Sequence, residues 1–406
     1  MIRISFVFIK SNMSLYNQRG VSAHKEEVLE ATKKLDKGLF PNAFCKVYPD
    51  ILAGDAEWVN VMHADGAGTK AILAYLYWKE TGDSSVWKGI AQDAIVMNLD
   101  DLLCVGIHDG IVFNSTIDRN KHLIPGEVLD AIINGSQEFF DQMSGFGVNI
   151  HYLGGETADV GDVVRTIAVN GTMTARWPKN KIVTNNRIQP GDVIVGLASF
   201  GKTSYESSYN SGIGSNGLTS ARHDVLAGYY AQHYKESFDT GLNDEVVYVG
   251  KSRLTDSYLF ANDAYPETNI GKLLLSPTRT YAPLMKQLLE NHFDDIHGLI
   301  HCSGGGQTKC LKYLPGDYRI IKDNMFEQSR LPIFQLIQEG SKSSHREMYE
   351  VFNMGCRLEI YCAPEKADMF ISAASDLQIE ARVIGRVEAD VKKSLHLILP
   401  DEQIVY

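Results

Sequence analysis

The stretch Trp58-Val-Asn-Val-Met-His-Ala-Asp-Gly-Ala-Gly-Thr-Lys70, running into Ala71-Ile-Leu-Ala-Tyr-Leu-Tyr-Trp-Lys-Glu80, changes its period within a few residues. Its β-branched and aromatic start predicts a strand over 58–63, the small residues at 65–68 a turn, and the following run a helix over 70–80 closed by Thr81-Gly82. Outward from this unit, a helical pattern covers 22–37, and apolar spacing predicts a second long helix over 86–105. A strand is expected over 109–118, and a helix opened by Pro125 over 125–143. Strands at 149–153 and 165–171 flank a glycine-rich turn at 154–161. Helices and strands alternate irregularly and sequential strands can pair, which predicts an α/β protein of the α+β layered kind rather than a strict βαβ ladder.

The polar segment 177–190 ends in Gln189-Pro-Gly-Asp192 and predicts a linker between a first domain over 13–176 and a second over 191–406. Residues 1–12 read as an extension ahead of Met13, because the short apolar run after Arg3 is followed by no cleavage signature. The second domain opens with a strand over 193–198. A tyrosine-rich insertion follows over about 202–270, helical only from Ala221 to Tyr234. Beyond it come helices at 278–291, 307–313, 332–339 and 364–375, and strands at 296–302, 356–362, 380–388 and 394–399.

With 406 residues, 44% of them hydrophobic and 22% charged, the chain has the composition of a globular protein of more than one domain. Its 50 acidic against 39 basic residues give a net charge of −11, which argues against nucleic acid and anionic membranes as partners. The six cysteines are scattered with no C-x-x-C pair, so neither a disulfide framework nor a structural zinc site is expected, and a reducing cytoplasm fits. No apolar run is long enough to predict a membrane span.

Three acidic, glycine-rich clusters carry the chemistry of the first domain. In Asp65-Gly-Ala-Gly-Thr-Lys70 the small residues let backbone N–H groups approach a phosphate, Lys70 offers a cation and Asp65 a hard oxygen. The spacing is not that of a Walker loop, and a capped turn with a surface lysine would use the same residues. Asp93 and Asp100-Asp101 lie seven and eight residues apart in an apolar helix and can share a face; a bound cation or an exposed helix end accounts for them. Leu153-Gly-Gly-Glu-Thr-Ala-Asp159 is the third cluster. Together they suit Mg²⁺ with a nucleotide, since magnesium takes few carboxylates plus substrate phosphates. In the second domain His297 and His301 sit on one face of a strand, as ligands or as core histidines. Cys302-Ser-Gly-Gly-Gly306 makes either an anion site at a helix start or a tight turn. Ser215-Asn-Gly217 and Phe352-Asn353 are polar turns suited to an amide or a ribose.

The ordered set Tyr16–Ser22, Asp65–Lys70, Asp93–Leu103, Leu153–Asp159, Ser215–Gly217, Ser276–Tyr281, His297–Gly306 and Glu347–Gly355 resembles the phosphoribosylformylglycinamidine cyclo-ligase family. The resemblance implies two α/β domains, the first contributing a four-stranded sheet to a dimeric β-barrel, hence a homodimer. It implies ATP and Mg²⁺ as cofactors and formylglycinamidine ribonucleotide as substrate. It places catalysis on Asp65, Lys70, Asp101 and Glu156, with the metal on Asp65, Asp101 and Glu156. Nucleotide binding falls on Gly66, Gly68, Thr69, Lys70, Asp100, Asp101, Gly154 and Gly155, and substrate binding on Ser215, Asn216, Gly304, Gly305, Gly306 and Asn353. The chain departs from the family in having Gly214 where a histidine is usual, a place that His223 or His233 of the insertion could fill. The segment 37–44 also has fewer glycines than the family's, and the insertion is longer. The same architecture occurs in selenophosphate synthetase and thiamine monophosphate kinase, and a diverged nucleotide-binding member without turnover is the alternative reading.

Overall fold

The computed structural model describes residues 14–22, 26–260 and 265–406. The expected extension over 1–12 lies outside the described residues. Of the helix expected over 22–37, the part seen is α2 (Glu26–Thr32), preceded by a short α1 (Leu15–Gln18).

The first sheet is built from β1 (Val47–Pro49), β2 (Trp58–Gly66), β3 (Ile111–Arg119), β4 (Ile150–Asp159) and β5 (Ile167–Pro178), in the order β1-β2-β5-β3-β4. Only β3 and β4 run parallel. Helices α3 (Lys70–Thr81), α4 (Val86–Leu103) and α5 (Gly126–Ser144) follow the predicted spans closely, and α4 and α5 cover one face of the sheet. Alternation along β3 and β5 explains the layering, because Phe113, Ile117, Val169 and Met173 are buried against the helices while Asn114 and Asn170 point away. Met62 at 69% and Leu153 at 66% exposure show that the other face is uncovered.

Two expectations are corrected here. Among the described residues the sheet has five strands rather than four, and within one chain it is open, with β1 and β4 at its edges. The turn expected over 154–161 is mostly strand: β4 continues to Asp159, and its register against β3 shifts where Gly154 adopts φ +91°. A glycine bulge thus absorbs what looks like turn chemistry. A Cβ on the next residue, Gly155, would lie 2.3 Å from the Ser115 carbonyl oxygen. Gly155→Ala is therefore expected to push β4 off β3 and cost about 1–3 kcal/mol, read as a lower thermal midpoint.

The second sheet combines β6 (Val193–Ala198) with later strands, after a small hairpin of β7 (Ser257–Tyr258) and β8 (Thr268–Asn269). Those strands are β9 (Gly298–His301), β10 (Tyr318–Lys322), β11 (Cys356–Cys362), β12 (Ala381–Ala389), β13 (Ser394–Ile398) and β14 (Gln403–Val405). Their order is β14-β13-β10-β12-β6-β11-β9. The insertion carries α6 (Leu218–Val225) and α7 (Tyr229–His233), two short helices where one was expected. After it come α8 (Ile270–Leu275), α9 (Ala282–Asn291), α10 (Pro332–Ser341), α11 (His345–Val351) and α12 (Ala367–Asp376). The insertion packs on the first domain: Tyr230 and Arg253 both bond Glu80 of α3, and Tyr75 donates to Glu236.

The 177–190 segment, although polar, is not an exposed tether. Ile182, Val183, Asn185 and Ile188 are buried, and Asn185 bonds both the Asn42 carbonyl and the Leu299 amide. The motif at 16–22 is likewise structural. Arg19 is buried, 2.5 Å from Asp224 of α6, and also donates to the Val246 carbonyl and Ser220.

Candidate active site at the junction of the two sheets

Helix α4 lies between the first sheet and the second domain, and its three aspartates are met by different groups. Asp93 accepts from Lys70 at 2.9 Å and from both the amide and hydroxyl of Thr278. Asp100 accepts from Thr280 and, at 2.7 Å, from Arg357 of β11. Asp101 faces two imidazoles, with His301 Nδ1 at 2.5 Å and His63 Nε2 at 3.1 Å. The cations that make these buried carboxylates tolerable are thus supplied by the protein itself.

The hydrogen bonds fix the protons. His301 Nε2 lies 2.8 Å from Arg357 Nη1, a group that only donates, so His301 accepts there and donates from Nδ1 to Asp101. Asn98 uses its amide nitrogen on the carbonyls of Asp65, Ala94 and Gly171, which leaves Oδ1 to accept from His63 Nδ1 at 3.0 Å. His63 therefore donates from both ring nitrogens. Burial opposes its charge, but the hydrogen bond and charge of Asp101, with help from Asn98, push its pKa up to about 9. Burial likewise opposes ionisation of Asp101, yet the hydrogen bonds from His301 and His63 hold it well below the usual carboxylate range. The thiol of Cys45 completes the cluster, donating to the Asp101 carbonyl at 3.2 Å.

The expected substrate-binding residues gather beside this network. Ser215 bonds Thr278, a Cβ on Gly304 would come within 3.5 Å of Asn216, and Gly306 packs on the carbonyls of Tyr349 and Phe352. Asn353 is a buried clamp, accepting from Ser199 and the Gly355 amide and donating to the Gly212 carbonyl. Thr69 meets Thr219 at 2.9 Å, which brings the starts of α3 and α6 together. Gly68, at φ +57°, has nothing within 4 Å of a built Cβ, so the turn is open at this residue, and the helix starts beside it suit a phosphate.

Other expectations change. Lys70 is fully buried; desolvation outweighs Asp93 and lowers its pKa, and its ammonium bonds Asp93 and the Ser276 carbonyl rather than facing a phosphate. Asp65, Asp101 and Glu156 do not form one magnesium site within a chain. Asp65 pairs with Gly171, which pairs with Ser115, which pairs with Gly155, so β2 and β4 are three strand spacings apart, about 14 Å. Asp65 also falls on the helix-covered side with His63, whereas Glu156, opposite Thr116, falls on the open face. Gly154 and Gly155 share the distant strand with Glu156. Neither histidine replaces the one absent at 214: His223 is buried and takes the Tyr248 amide, and His233 stacks on Tyr229. A side chain at 214 would instead approach Arg357 and Asn353.

His63, Cys45 and Arg357 were not singled out from the sequence. His63 was legible as the residue two before Asp65 on the same strand; the partners of Cys45 and Arg357 lie 56 and 257 residues away. Clefts of about 580 Å³ beside Leu15, Asp224 and Lys342, about 400 Å³ beside Val86, Phe260 and Lys272, and about 210 Å³ beside Gln92, Tyr205 and Arg279 do not include the Asp101 cluster. Charge and contacts, rather than concavity, define the site.

Residues 47–177 match the family of the AIR synthase related protein, N-terminal domain, and residues 243–398 that of its C-terminal domain. The fold and junction are thus those of an AIR-synthase-related α/β protein. The phosphoribosylformylglycinamidine cyclo-ligase of Methanocaldococcus jannaschii is 30% identical over 82% of this chain and 79% of its own length. That of Brevibacillus brevis is 29% identical over 83% of each. The chain belongs to the phosphoribosylformylglycinamidine cyclo-ligase family, enzymes of purine biosynthesis. Among solved structures, phosphoribosylformylglycinamidine synthase II of Thermotoga maritima superposes with a TM-score of 0.52 at 11% identity, covering 97% of this chain and 50% of that one. AaThiL complexed with AMPPCP and TMP gives 0.51 at 11% identity, covering 94% and 95%. These likenesses establish the fold. No helix among the described residues is long and apolar enough to cross a membrane.

Proposed function

We propose that this chain closes formylglycinamidine ribonucleotide to aminoimidazole ribonucleotide, consuming ATP and releasing ADP and phosphate, in the cytoplasm. The observation that carries the reading is convergence: acidic α4, the 276–281 segment, β9 and Arg357 meet at one junction, beside the open turn at 66–69 and the loops at 215–217 and 304–306. An amide-like formyl oxygen leaves poorly until phosphorylated, so the reaction needs a phosphate site and a shielded place for amine attack. The helix starts at Thr69 and Gly217 suit the phosphates, and the two-domain junction suits shielding. In this reading Asp101, held ionised by two imidazoles, and His63 are the polar groups nearest the reacting atoms. A homodimer through the open face of the first sheet would cover Met62 and Leu153, and it is on that assembled face that Glu156 lies. Asp65, Asp101 and Glu156 do not fit a single Mg²⁺ ion within one chain.

The absent histidine at 214 and the buried Lys70 favour a second reading, a nucleotide-binding member that does not turn over. Phosphate release from ATP, with and without formylglycinamidine ribonucleotide, separates the two. Substrate-dependent release matched by aminoimidazole ribonucleotide is expected. Thermal stabilisation by ATP with no product would instead favour the binder.

A further inference from the structure

Cys45 Sγ, a ring nitrogen of His63 and a carboxylate oxygen of Asp101 all lie within 4.8 Å of one another at the domain junction. A tetrahedral zinc centre with bonds of about 2.0–2.3 Å spaces its ligand atoms by roughly 3.3–3.8 Å, so a small inward movement suffices. The second set of contacts is already in place. His63 gives its Nδ1–H to Asn98, leaving Nε2 turned toward Asp101 at 3.1 Å. Asp101 gives its other oxygen to His301, His301 is held by Arg357, and Arg357 by Asp100. Metal-bound histidines and carboxylates are oriented by outer partners of this kind.

We infer that Cys45, His63 and Asp101 form a binding site for a zinc-class divalent ion, with the fourth position left to water or a substrate oxygen. One sulfur, one nitrogen and one oxygen match zinc or cobalt and not magnesium, which asks for oxygen ligands in an octahedron. Binding would displace the Cys45 thiol proton and the proton on His63 Nε2, both released to solvent. His63, with a side chain 23% exposed, provides the way in. The inference goes beyond the proposed activity and does not depend on it.

The test is cobalt uptake by the chelator-treated full-length protein, followed by its visible and near-ultraviolet absorption. One Co²⁺ per chain is expected, with four-coordinate bands and a thiolate-to-metal charge-transfer band, and zinc but not excess magnesium should displace it. Cys45→Ser should remove the charge-transfer band, and Asn98→Ala should weaken binding by about 10- to 100-fold. No uptake of cobalt or zinc by the wild-type protein overturns the inference without any variant. A charge-transfer band that persists in Cys45→Ser, with that variant folded by circular dichroism, overturns it too.

Discussion

Asp101→Asn is expected to abolish turnover, by at least about 100-fold, and to lower stability by about 3–5 kcal/mol. The carboxylate is buried and serves two imidazoles at once, His301 through Oδ1 and His63 through Oδ2. An amide in its place keeps one accepting oxygen and turns an N–H toward the other ring, which also donates. His63, a cation by its contacts with Asp101 and Asn98, then loses its counter-charge. Asp65→Asn is the comparison, because Asp65 is exposed, accepts the Gly66 amide and acts on His63 through its charge, whereas Asp101 is buried and bonds both imidazoles directly. It should lose far less stability than Asp101→Asn, and its activity reports whether the turn at 66–69 needs that charge. Urea unfolding followed by tryptophan fluorescence, with turnover measured on the same samples, checks both variants. Wild-type stability in Asp101→Asn would show that the two imidazoles do not rely on this carboxylate.

Lys70→Met carries the second large effect, also about 3–5 kcal/mol. The Lys70 ammonium and Asp93 carboxylate are both fully inaccessible, and removing the cation leaves Asp93 with only the Thr278 donors. Asp93 Oδ2 already has no hydrogen-bond partner among the described residues, and Arg357, another cation whose charge reaches this pair, is held by Asp100. The double replacement Lys70→Met with Asp93→Leu should recover most of the loss, because an apolar pair avoids the desolvation that the ion pair must overcome. If Lys70→Met unfolds like wild type but loses ATP affinity, Lys70 reaches a phosphate after all, and its place in the core is not its working position.

The fold was largely legible because long helices and buried strands announce themselves. The apolar run of α4 and the strand 356–362 stand where the pattern placed them. The segment 154–159 misled for a physical reason. Gly-Gly-Glu-Thr-Ala-Asp has the composition of a turn, but pairing with β3 and one left-handed glycine make it strand. That single change moves Glu156 to the opposite face from Asp65 and dissolves the expected three-carboxylate site. At the site, the acids were visible in the sequence and their partners were not. Nothing local to Asp100 points to Arg357, and nothing local to Lys70 points to the Ser276 carbonyl, since both contacts arise only when the second domain closes on α4. The motif at 16–22 shows the converse: a distinctive string whose arginine anchors α6.

Nucleotide and ribonucleotide are expected to meet at the junction between α4 and the second domain. A crystal structure with AMPPCP and formylglycinamidine ribonucleotide tests it most directly. The analogue's phosphates are expected at the turn 66–69 and the α6 start, and the ribonucleotide between the 304–306 turn and the His63–Asp101 pair. Either ligand seated instead in the cleft beside Leu15, Asp224 and Lys342, with the junction unchanged, would contradict it.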